Sequence, residues 1–294
     1  MSRAVSLIVN PNAGGGKAAE VLPAVEAALR GHGFAVRVTS TRDLPHACEL
    51  AGAAVQAGEI AATLGGDGLV GCVAGQLAGG DGVLGVLPGG RGNDFARVLG
   101  IPADPVEACA TLAGGVERLI DVGEVNGSPF IGVASFGLDS DANRLANETK
   151  LIKGNLVYLY AGIRSLASWV PARFELALDG GERVAFVGSS VALANSKAYG
   201  GGMFIAPDAE LDDGLLDVVM TGRAPKRRLL FDHTRKLFAG GYTALPAVRV
   251  VRAREVLVSA DRPFTVYADG DPIAELPATV RVRHRALRVL APAG

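Results

Sequence analysis

The chain has 294 residues, of which 49% are hydrophobic and 20% are charged, and its formal net charge is −1. This composition supports a large core and excludes a mainly disordered protein, and the near-neutral charge argues against a general nucleic-acid binder. Residues 1–130 carry 8 Lys and Arg against 13 Asp and Glu, whereas the remainder carries 21 against 17. The second part is therefore mildly basic, as suits a protein that visits an anionic surface.

The cysteines and the apolar runs indicate the compartment. Cys48, Cys72 and Cys109 are an odd number and lie in apolar surroundings. We therefore expect reduced core cysteines, with neither a disulfide nor a metal site. No apolar run approaches the roughly 18 residues of a membrane-spanning helix, and the run at residues 5–9 is too short for a signal peptide. We expect a cytoplasmic protein that is either soluble or peripherally associated with a membrane.

Residues 1–125 alternate between apolar strands and amphipathic helices. We predict strands at residues 4–9, 34–39, 60–64 and 83–87, and helices at 17–30, 45–57, 69–78 and 95–99. Such alternation is typical of βαβ units and a parallel sheet. Ligands of these sheets bind at the carboxyl ends of the strands, and three of the four strands end in glycine-rich loops. We therefore predict a Rossmann-like α/β domain whose loops converge on one site.

The period changes after Asp121. Residues 120–136 and 172–294 are rich in short alternating segments, which predicts an antiparallel β domain. Helical insertions are predicted at residues 150–169 and 226–239. We place the domain boundary near residue 125, giving domains at 1–125 and 126–294, with the carboxyl-terminal end allowed to return to the first domain.

One stretch organises the first domain, the apolar strand at 60–64 followed by Gly65-Gly66-Asp67-Gly68. Glycine is costly to order in a helix or strand, but it suits backbone that turns sharply or approaches a ligand closely. A carboxylate held there can face a metal or a nucleotide hydroxyl. The alternative is a tight turn in which Asp67 only caps the next helix.

The first glycine loop, residues 10–17, carries less information. Gly14-x-Gly16-x-x-Ala19 fits a dinucleotide fingerprint, but the acidic residue expected about 20 positions later is absent. Ala18 after Lys17 removes the hydroxyl of a Walker loop. Free N–H groups at a helix start still suit a phosphate, and a turn without any ligand is the alternative.

Together, three segments resemble the diacylglycerol kinase catalytic-domain family: Asn10-Pro11-x-Ala13-Gly14, Gly65-Gly66-Asp67-Gly68 and 88–97 (PGGRGNDFAR). The chain is most similar to soluble bacterial lipid kinases, relatives of the sphingosine and ceramide kinases. The resemblance continues through residues 195–203 (NSKAYGGGM), 207–217 (PDAELDDGLLD) and 268–271 (ADGD). The Gly-Gly-Asp-Gly loop also occurs in NAD kinases and phosphofructokinases, so the other segments are the more specific.

The resemblance implies an ATP- and Mg²⁺-dependent kinase with its active site between an α/β nucleotide domain and a β-sandwich. The positions implied for ATP are Asn10, Pro11, Asn12, Ala13, Gly14, Thr41, Gly65, Gly66, Asp67, Gly68, Leu69, Val70, Gly71, Arg91 and Asn93. The implied catalytic carboxylates are Asp67, Asp94, Asp121 and Asp271. Phosphoryl transfer needs mostly positioning, charge neutralisation and a base for the alcohol proton.

Three positions depart from the family pattern. Leu69 and Arg91 stand where the family usually has threonine, and Asp271 stands where it has a glutamate general base. Arg91 can instead pair with phosphate. The aspartate keeps the carboxylate but is one methylene shorter. Without the resemblance, residues 269–272 would be interpreted as a hairpin turn.

A second, structural metal is implied at residues 210–215. Carbonyl oxygens of Glu210 and Leu215 with the Asp213 carboxylate would give the hard oxygen ligands that magnesium prefers. The alternative is an acidic turn with Gly214 at its special position. His32, His46, His233 and His284 show no ligand spacing, and we expect surface or satisfied core histidines.

The function predicted first is an ATP-dependent lipid kinase that phosphorylates a hydroxyl of diacylglycerol or a relative, in phospholipid metabolism. A soluble kinase of the NAD-kinase type and a non-catalytic nucleotide-binding regulator are the alternatives. We expect a lipid substrate and an anionic membrane surface as partners, allow for a homodimer, and expect no nucleic acid. The basic and apolar segment at 223–238 suits a helix in a membrane interface and equally an ordinary packed amphipathic helix with a solvated basic face.

Overall fold

The computed structural model describes residues 3–149 and 156–293. Two compact units are present: unit 1 extends to Val122 and resumes at His284, and unit 2 covers Gly123–Arg283. The strands are β1 (Ala4–Val9), β2 (Ala35–Ser40), β3 (Ile60–Gly65), β4 (Val83–Pro88), β5 (Val116–Val125), β6 (Ser128–Phe130), β7 (Val133–Gly137), β8 (Ala172–Leu178), β9 (Glu182–Ala194), β10 (Ala198–Tyr199), β11 (Met203–Phe204), β12 (Leu216–Gly222), β13 (Val248–Ala253), β14 (Glu255–Ala260), β15 (Thr265–Ala268), β16 (Asp271–Glu275) and β17 (Ala278–Ala291).

The α-helices are α1 (Lys17–Gly31), α2 (Leu44–Gln56), α3 (Asp67–Leu77), α4 (Asp94–Val98), α5 (Pro105–Gly114), α6 (Leu138–Glu148), α7 (Leu156–Ser168), α8 (Lys226–Arg228) and α9 (Thr234–Phe238). A π-helical turn (Leu229–His233) joins α8 to α9, and short 3-10 turns occupy Ala13–Gly15 and Tyr242–Ala244. No helix in the described part of the chain is long and apolar enough to cross a membrane.

Unit 1 contains the predicted parallel sheet. Its strands lie in the order β2-β1-β3-β4, and the end of β17 adds a further parallel strand beside β4. All six residues of β3 are buried and nearly all of β1 and β4, because helices cover both faces of a parallel sheet. The edge strand β2 instead alternates between exposed and half-buried residues.

Two helices of unit 1 begin at aspartate caps followed by proline. The Asp43 carboxylate accepts the N–H of His46 at the start of α2, and Asp104 accepts the N–H groups of Val106 and Glu107 at the start of α5. The sequence analysis did not predict α5, although Asp104-Pro105 carried this signal. It also missed α6, a predominantly polar helix with few apolar residues.

Unit 2 is the predicted antiparallel β-sandwich. The long strand β9 pairs with β8 through its first half and with β7 and β12 through its second half. Its core contains a cluster of aromatic rings, in which Phe174 contacts Phe136, Phe186 and Phe264 with ring centroids 5.5–5.7 Å apart. Of the helical insertion predicted at 150–169, residues 150–155 lie outside the described residues and the rest corresponds to α7.

The cysteine prediction was wrong for two of the three residues. Cys48 and Cys72 form a disulfide with their Cα atoms 6.1 Å apart, while Cys109 is a free, buried thiol. The pairing follows from packing, because α2 and α3 lie side by side and each presents one cysteine to the other. The spacing of 24 residues along the chain gave no sign of this contact.

Candidate active site

Three glycine loops of unit 1 meet at the carboxyl ends of β1, β3 and β4. A β-carbon on Gly14 would lie 2.7 Å from the carbonyl oxygen of Gly89, and one on Gly90 would lie 2.3 Å from the Cα of Gly66. The loops are further tied by the N–H of Gly89, which donates to the carbonyl of Gly65 at 2.7 Å. Only glycine permits this approach of backbone to backbone, so the clustering of glycines at strand ends has a steric cause.

Asp67 lies at the start of α3, among these loops. Its Oδ1 accepts the backbone N–H of Phe95 at 3.2 Å, which links the β3 loop to the start of α4. Burial, and next the neighbouring Asp94 carboxylate, raise the pKa of Asp67, although backbone N–H groups at Asn93, Asp94 and Phe95 oppose the shift. A half-buried carboxylate beside another carboxylate is an arrangement that a bound cation would stabilise.

The loop after β4 holds Asn93 and Asp94 in fixed positions. Asn93 adopts a left-handed conformation (φ 50°), and its amide group bonds the backbone of Gly90 in both directions, at 2.9 and 3.1 Å. Asp94 is buried and pairs with Arg97, which also donates to the carbonyl of Gly92 at 3.0 Å. The Asn-Asp-Phe-Ala-Arg segment therefore forms one hydrogen-bonded turn next to Asp67.

The other predicted nucleotide positions differ in what they present to solvent. Leu69 is buried, with its side chain packed against Gly65, so it fills space under the loop and offers no hydrogen bond. Arg91 is exposed and free to reach a phosphate. Thr41 donates from its hydroxyl to the carbonyl of Asp43 at 2.5 Å, which supports the α2 cap. Asn10 accepts the N–H of Asn12 at 3.1 Å and shapes the first loop.

Asp121 is held by hydrogen bonds in the interior of unit 1. It is fully buried, its Oδ1 lies 2.9 Å from Nδ1 of His284, and it accepts the N–H of Arg285 at 2.6 Å. This carboxylate therefore anchors the point where the chain returns to unit 1. The sequence analysis gave neither residue 284 nor residue 285 a role, because their contact with Asp121 spans more than 160 positions.

Unit 2 carries Asp271 at the first position of β16, just after a tight hairpin. Asp269 and Gly270 in that hairpin both have positive φ, at 52° and 95°. The Asp269 carboxylate accepts three successive backbone N–H groups, from Ile131 at 2.9 Å and from Gly132 and Val133 at 3.0 Å. Asp271 itself is exposed, and partial desolvation raises its pKa. The sequence analysis quoted Asp269 within a motif but did not predict this positioning contact.

The predicted structural-metal loop forms a turn in which Asp213 has two neighbours. Its Oδ1 accepts the N–H of Leu215 at 2.9 Å, and its Oδ2 lies 3.5 Å from the Arg252 guanidinium. Glu210 is exposed. In the described residues no group of three or more His, Cys, Asp or Glu side chains has the geometry of a metal site. Any metal here would depend on backbone carbonyls together with Asp213.

The predicted site residues thus fall into two groups. Unit 1 gathers the glycine loops, Asp67, Asn93 and Asp94 at one edge of its sheet, with Thr41 at the end of β2. Unit 2 holds Asp271 and the loop of Asp213.

Comparison with known proteins identifies the class. Residues 4–125 match the family model described as the diacylglycerol kinase catalytic domain, and residues 132–291 match the YegS C-terminal NAD kinase beta sandwich-like domain. A diacylglycerol kinase from Mycobacterium tuberculosis is 35% identical over 295 residues, covering 98% of this chain and 95% of the relative. One from Bacillus subtilis is 32% identical over 262 residues, covering 86% and 84%.

A solved structure supports the fold. The crystal structure of a diacylglycerol kinase from Bacillus anthracis has a TM-score of 0.78 at 20% identity and covers 99% of this chain and 97% of that one. Because the Mycobacterium tuberculosis relative is 35% identical over nearly the whole chain, the chain belongs to the diacylglycerol kinase catalytic-domain family. The predicted resemblance, the fold class and the prediction of a lipid kinase are confirmed at the level of this family.

Proposed function

We propose that this kinase transfers the γ-phosphoryl group of ATP to a hydroxyl of a membrane lipid, of which diacylglycerol is the first candidate. The observation that carries this proposal is the convergence of Gly14, Gly66 and Gly90 around Asp67. Such loops leave backbone free to approach a polyphosphate closely. The names of the relatives point to a lipid as the acceptor.

The residues of unit 1 fit a nucleotide with its magnesium. Asp67 and Asp94 would supply hard oxygen ligands, and burial together with the neighbouring Asp94 carboxylate raises the pKa of Asp67. Bound magnesium would neutralise charge on the phosphates. Lys17 at the start of α1 and Arg91 in the loop after β4 are both exposed, and such cations can pair with phosphate oxygens.

Asp271 is proposed as the general base that takes the proton of the acceptor hydroxyl. Its pKa is raised, which moves its proton affinity toward that of a useful base at neutral pH. The rigid anchoring of Asp269 fixes the hairpin from which Asp271 projects. The aspartate is shorter than the glutamate usual in the family, so we propose that the hairpin or a water supplies the missing reach.

A structural magnesium ion is proposed at the loop of Asp213, with carbonyl oxygens of Glu210 and Leu215. The chemistry of these donors suits magnesium. Arg252 already offers a positive charge to Asp213 at 3.5 Å, so the ion would have to compete with that guanidinium. We therefore expect weak binding that depends on millimolar magnesium.

We propose a cytoplasmic enzyme that reaches its substrate at an anionic membrane surface. Phe231 and Phe238 are 68% and 52% exposed, and they lie among exposed basic residues: Lys226, Arg227, Arg228, Arg235 and Lys236. The leucines of the same segment instead pack inward on the core. Exposed aromatic rings between basic side chains are typical of a segment in a membrane interface.

The testing experiment supplies labelled ATP and magnesium with dioleoylglycerol in mixed micelles, and in parallel with glycerol and NAD. We expect phosphate on dioleoylglycerol and none on the soluble acceptors. Transfer to NAD alone would replace the lipid kinase with an NAD-kinase-type enzyme. ATP binding without transfer to any acceptor would indicate a nucleotide-binding regulator.

A further inference from the structure

A pocket in unit 2 lies outside every site discussed so far. It has a volume of about 420 Å³ and lies between α6, the end of α7 and the segment that leads into β15. Its lining combines two arginines with aromatic rings and hydroxyl groups, and the members include Arg144, Arg262, Trp169, Phe264, Ser140 and Thr265. The volume is that of a site for a small organic ligand, since such sites are typically about 300–1,000 Å³.

Arg262 is held in place by the walls of this pocket. Its guanidinium lies over the rings of Trp169 and Phe264, 5.1 Å from each centroid, and donates a hydrogen bond to the Val170 carbonyl. Stacking on aromatic faces fixes the plane of a guanidinium, whose five N–H donors form a rigid fork. The Val170 carbonyl is the one acceptor that the described part of the chain gives this group, so further donors can serve an oxyanion.

The charges around the pocket favour an anion. Among the described residues that line it, three are charged: Arg144, Arg262 and Asp141. Asp141 lies 3.7 Å from Arg144, but the two side chains are 41% and 56% exposed, so water screens this ion pair and it contributes little. The lining therefore has a net charge of +1, and two guanidiniums face a single carboxylate.

The pocket also contains a buried donor that lacks an acceptor. Trp169 is 5% exposed, and its indole N–H makes no hydrogen bond to any described residue. Unpaired buried polar groups lower stability, so they are usually paired with water or a ligand. Nδ1 of His233, elsewhere in unit 2, is likewise buried without a partner in the described residues, so the expectation of a satisfied core histidine was wrong. Trp169 differs from His233 in standing beside two cations, where an oxyanion would supply the missing acceptor.

We propose that this pocket binds a phosphate group, held by Arg144 and Arg262, on a molecule whose body packs against Trp169 and Phe264. Guanidinium groups pair with phosphate in a bidentate manner. A phosphate monoester has three terminal oxygens, enough for both guanidiniums and the indole N–H, whereas a carboxylate has two. The pocket takes part in neither nucleotide binding nor phosphoryl transfer, so this inference goes beyond the proposed function.

The position of the pocket indicates where the phosphate comes from. Lys226, the first residue of α8, donates from Nζ to the carbonyl of Ala167 at 2.8 Å, two residues before Trp169. The basic segment proposed as membrane-facing is therefore tied to the end of α7 that lines the pocket. Val170 of the lining is 63% exposed and presents an apolar surface beside the arginines. These features favour a phospholipid headgroup over a soluble phosphate ester.

The first measurement uses Trp169, the only tryptophan of the chain, as a reporter within the pocket. Its emission is recorded as inorganic phosphate, glycerol 3-phosphate or dioleoyl phosphatidate in neutral detergent micelles is added. Sodium chloride at equal ionic strength and micelles without phosphatidate are the controls. We expect a saturable change with the phosphate-bearing probes and none with the controls.

Two substitutions remove the positive charges one at a time, Arg144→Gln and Arg262→Gln. Each should weaken phosphate binding about tenfold or more, because hydrogen bonds to charged groups are stronger than neutral ones. Arg164→Gln is the matched control, since it makes the same charge change at an exposed arginine of α7 that does not line the pocket. Arg262→Gln also removes the stacking on Trp169. If it lowers the Tm, exposed Arg144 decides the question.

Asp141→Asn provides a test of the opposite sign. It removes the one negative charge among the described lining residues, so affinity for phosphate should rise about threefold or more. Asp208→Asn makes the same charge change at an exposed carboxylate outside the pocket, and its affinity should match that of the parent. A lower affinity in Asp141→Asn would overturn the assignment of an anion to this pocket.

The two sources of phosphate give different results. A headgroup site predicts that phosphatidate binds more tightly than glycerol 3-phosphate, and that both depend on Arg144. Equal affinities with that same dependence would support the phosphate site and assign it to a soluble ester. No emission change with any phosphate probe, or equal affinities in Arg144→Gln and Arg164→Gln, would overturn the proposal. Phosphoryl transfer enters none of these readouts, so they are independent of the proposed kinase reaction.

Discussion

The backbone N–H of Gly132 donates to Oδ1 of Asp269, and a β-carbon on Gly132 would lie 2.4 Å from that same oxygen. The two residues therefore fit only while position 132 has no side chain. Asp269 in turn holds the hairpin that carries Asp271. The absence of a side chain at position 132 is therefore needed to keep the proposed base in place.

Gly132→Ala is accordingly expected to lower both stability and turnover. The new methyl group must displace the Asp269 carboxylate, and such overpacking typically costs about 1–3 kcal/mol. We expect a lower Tm, and a kcat that falls while KM for ATP is unchanged. Gly31→Ala is the control, since a β-carbon there meets nothing within 4 Å and its Tm should be unchanged or higher. A parental Tm and kcat in Gly132→Ala would show that the hairpin tolerates displacement.

Asp67→Asn is expected to separate stability from function. The pKa of Asp67 is raised in the folded state, so the ionised carboxylate destabilises the fold at every pH above the unfolded value of 3.8. The amide should therefore raise the Tm at pH 7, and the advantage should disappear as the pH falls below 3.8. Its oxygen can still accept the N–H of Phe95.

Activity should change in the opposite direction in this variant. Loss of a charge that holds the nucleotide's magnesium is expected to lower kcat by about a hundredfold or more. Thermal melts from pH 3 upward and a coupled ATPase assay measure the two effects. Full turnover in Asp67→Asn would remove this residue from the nucleotide site.

Asp67 and Asp269 show how much of the site the sequence could predict. Asp67 and its glycines were predictable, because backbone crowding at strand ends leaves a local signature in residue type and spacing. The contacts of Asp269 with residues 131–133, of Asp121 with His284, and of Cys48 with Cys72 were not. Each joins segments far apart in sequence, and no local pattern encodes which distant amide or thiol a side chain will meet.

Asp139 of α6 illustrates the same limit. Asp139 stands next to Ser140 and Asp141, and nothing in this polar run indicates burial. Asp139 is half-buried because α6 packs against α7 and β9, which only the three-dimensional structure shows. The antiparallel strands of unit 2, by contrast, were predicted within residues 172–294 from their period of two, which β8 shows in its alternation of buried and exposed residues.

Asp271→Asn should nearly eliminate phosphoryl transfer. A positioned general base typically contributes about 10²–10⁴-fold, and asparagine cannot accept the proton. Because desolvation raises the pKa of Asp271, kcat/KM of the parent should fall on the acid side at a pH above 3.8, as the carboxylate becomes protonated. Asp271→Glu should keep both the activity and the fall of kcat/KM at acid pH. Equal rates in Asp271→Asn and the parent would assign the segment to a structural turn.

The proposed structural magnesium predicts a stabilisation that depends on Asp213. A ligand that binds only the folded state raises the Tm as its concentration exceeds its Kd. We expect magnesium without nucleotide to raise the Tm of the parent, and to leave that of Asp213→Asn unchanged. Calcium and sodium chloride at equal ionic strength are the controls. An identical magnesium response in both proteins would place the ion elsewhere.

The last prediction concerns the basic segment around Phe231 and Phe238. Each basic residue near an anionic surface contributes about 1 kcal/mol, within a screening length of about 8 Å at physiological salt. Arg227→Glu with Arg228→Glu should therefore weaken vesicle affinity roughly thirtyfold or more, the equivalent of at least about 2 kcal/mol. Arg173→Glu with Arg183→Glu makes the same charge change on exposed residues of β8 and β9 and is the matched control.

Sedimentation with phosphatidylglycerol vesicles measures this affinity. Added salt should weaken the vesicle binding of the parent. Activity on dioleoylglycerol in neutral detergent micelles should persist in the Arg227 and Arg228 double variant, because the surface charge serves delivery and takes no part in transfer. If both double variants lose vesicle binding equally, net charge alone explains the attraction. If neither double variant loses vesicle binding, the segment is an ordinary helix packed through its leucines, and its basic face is solvated surface.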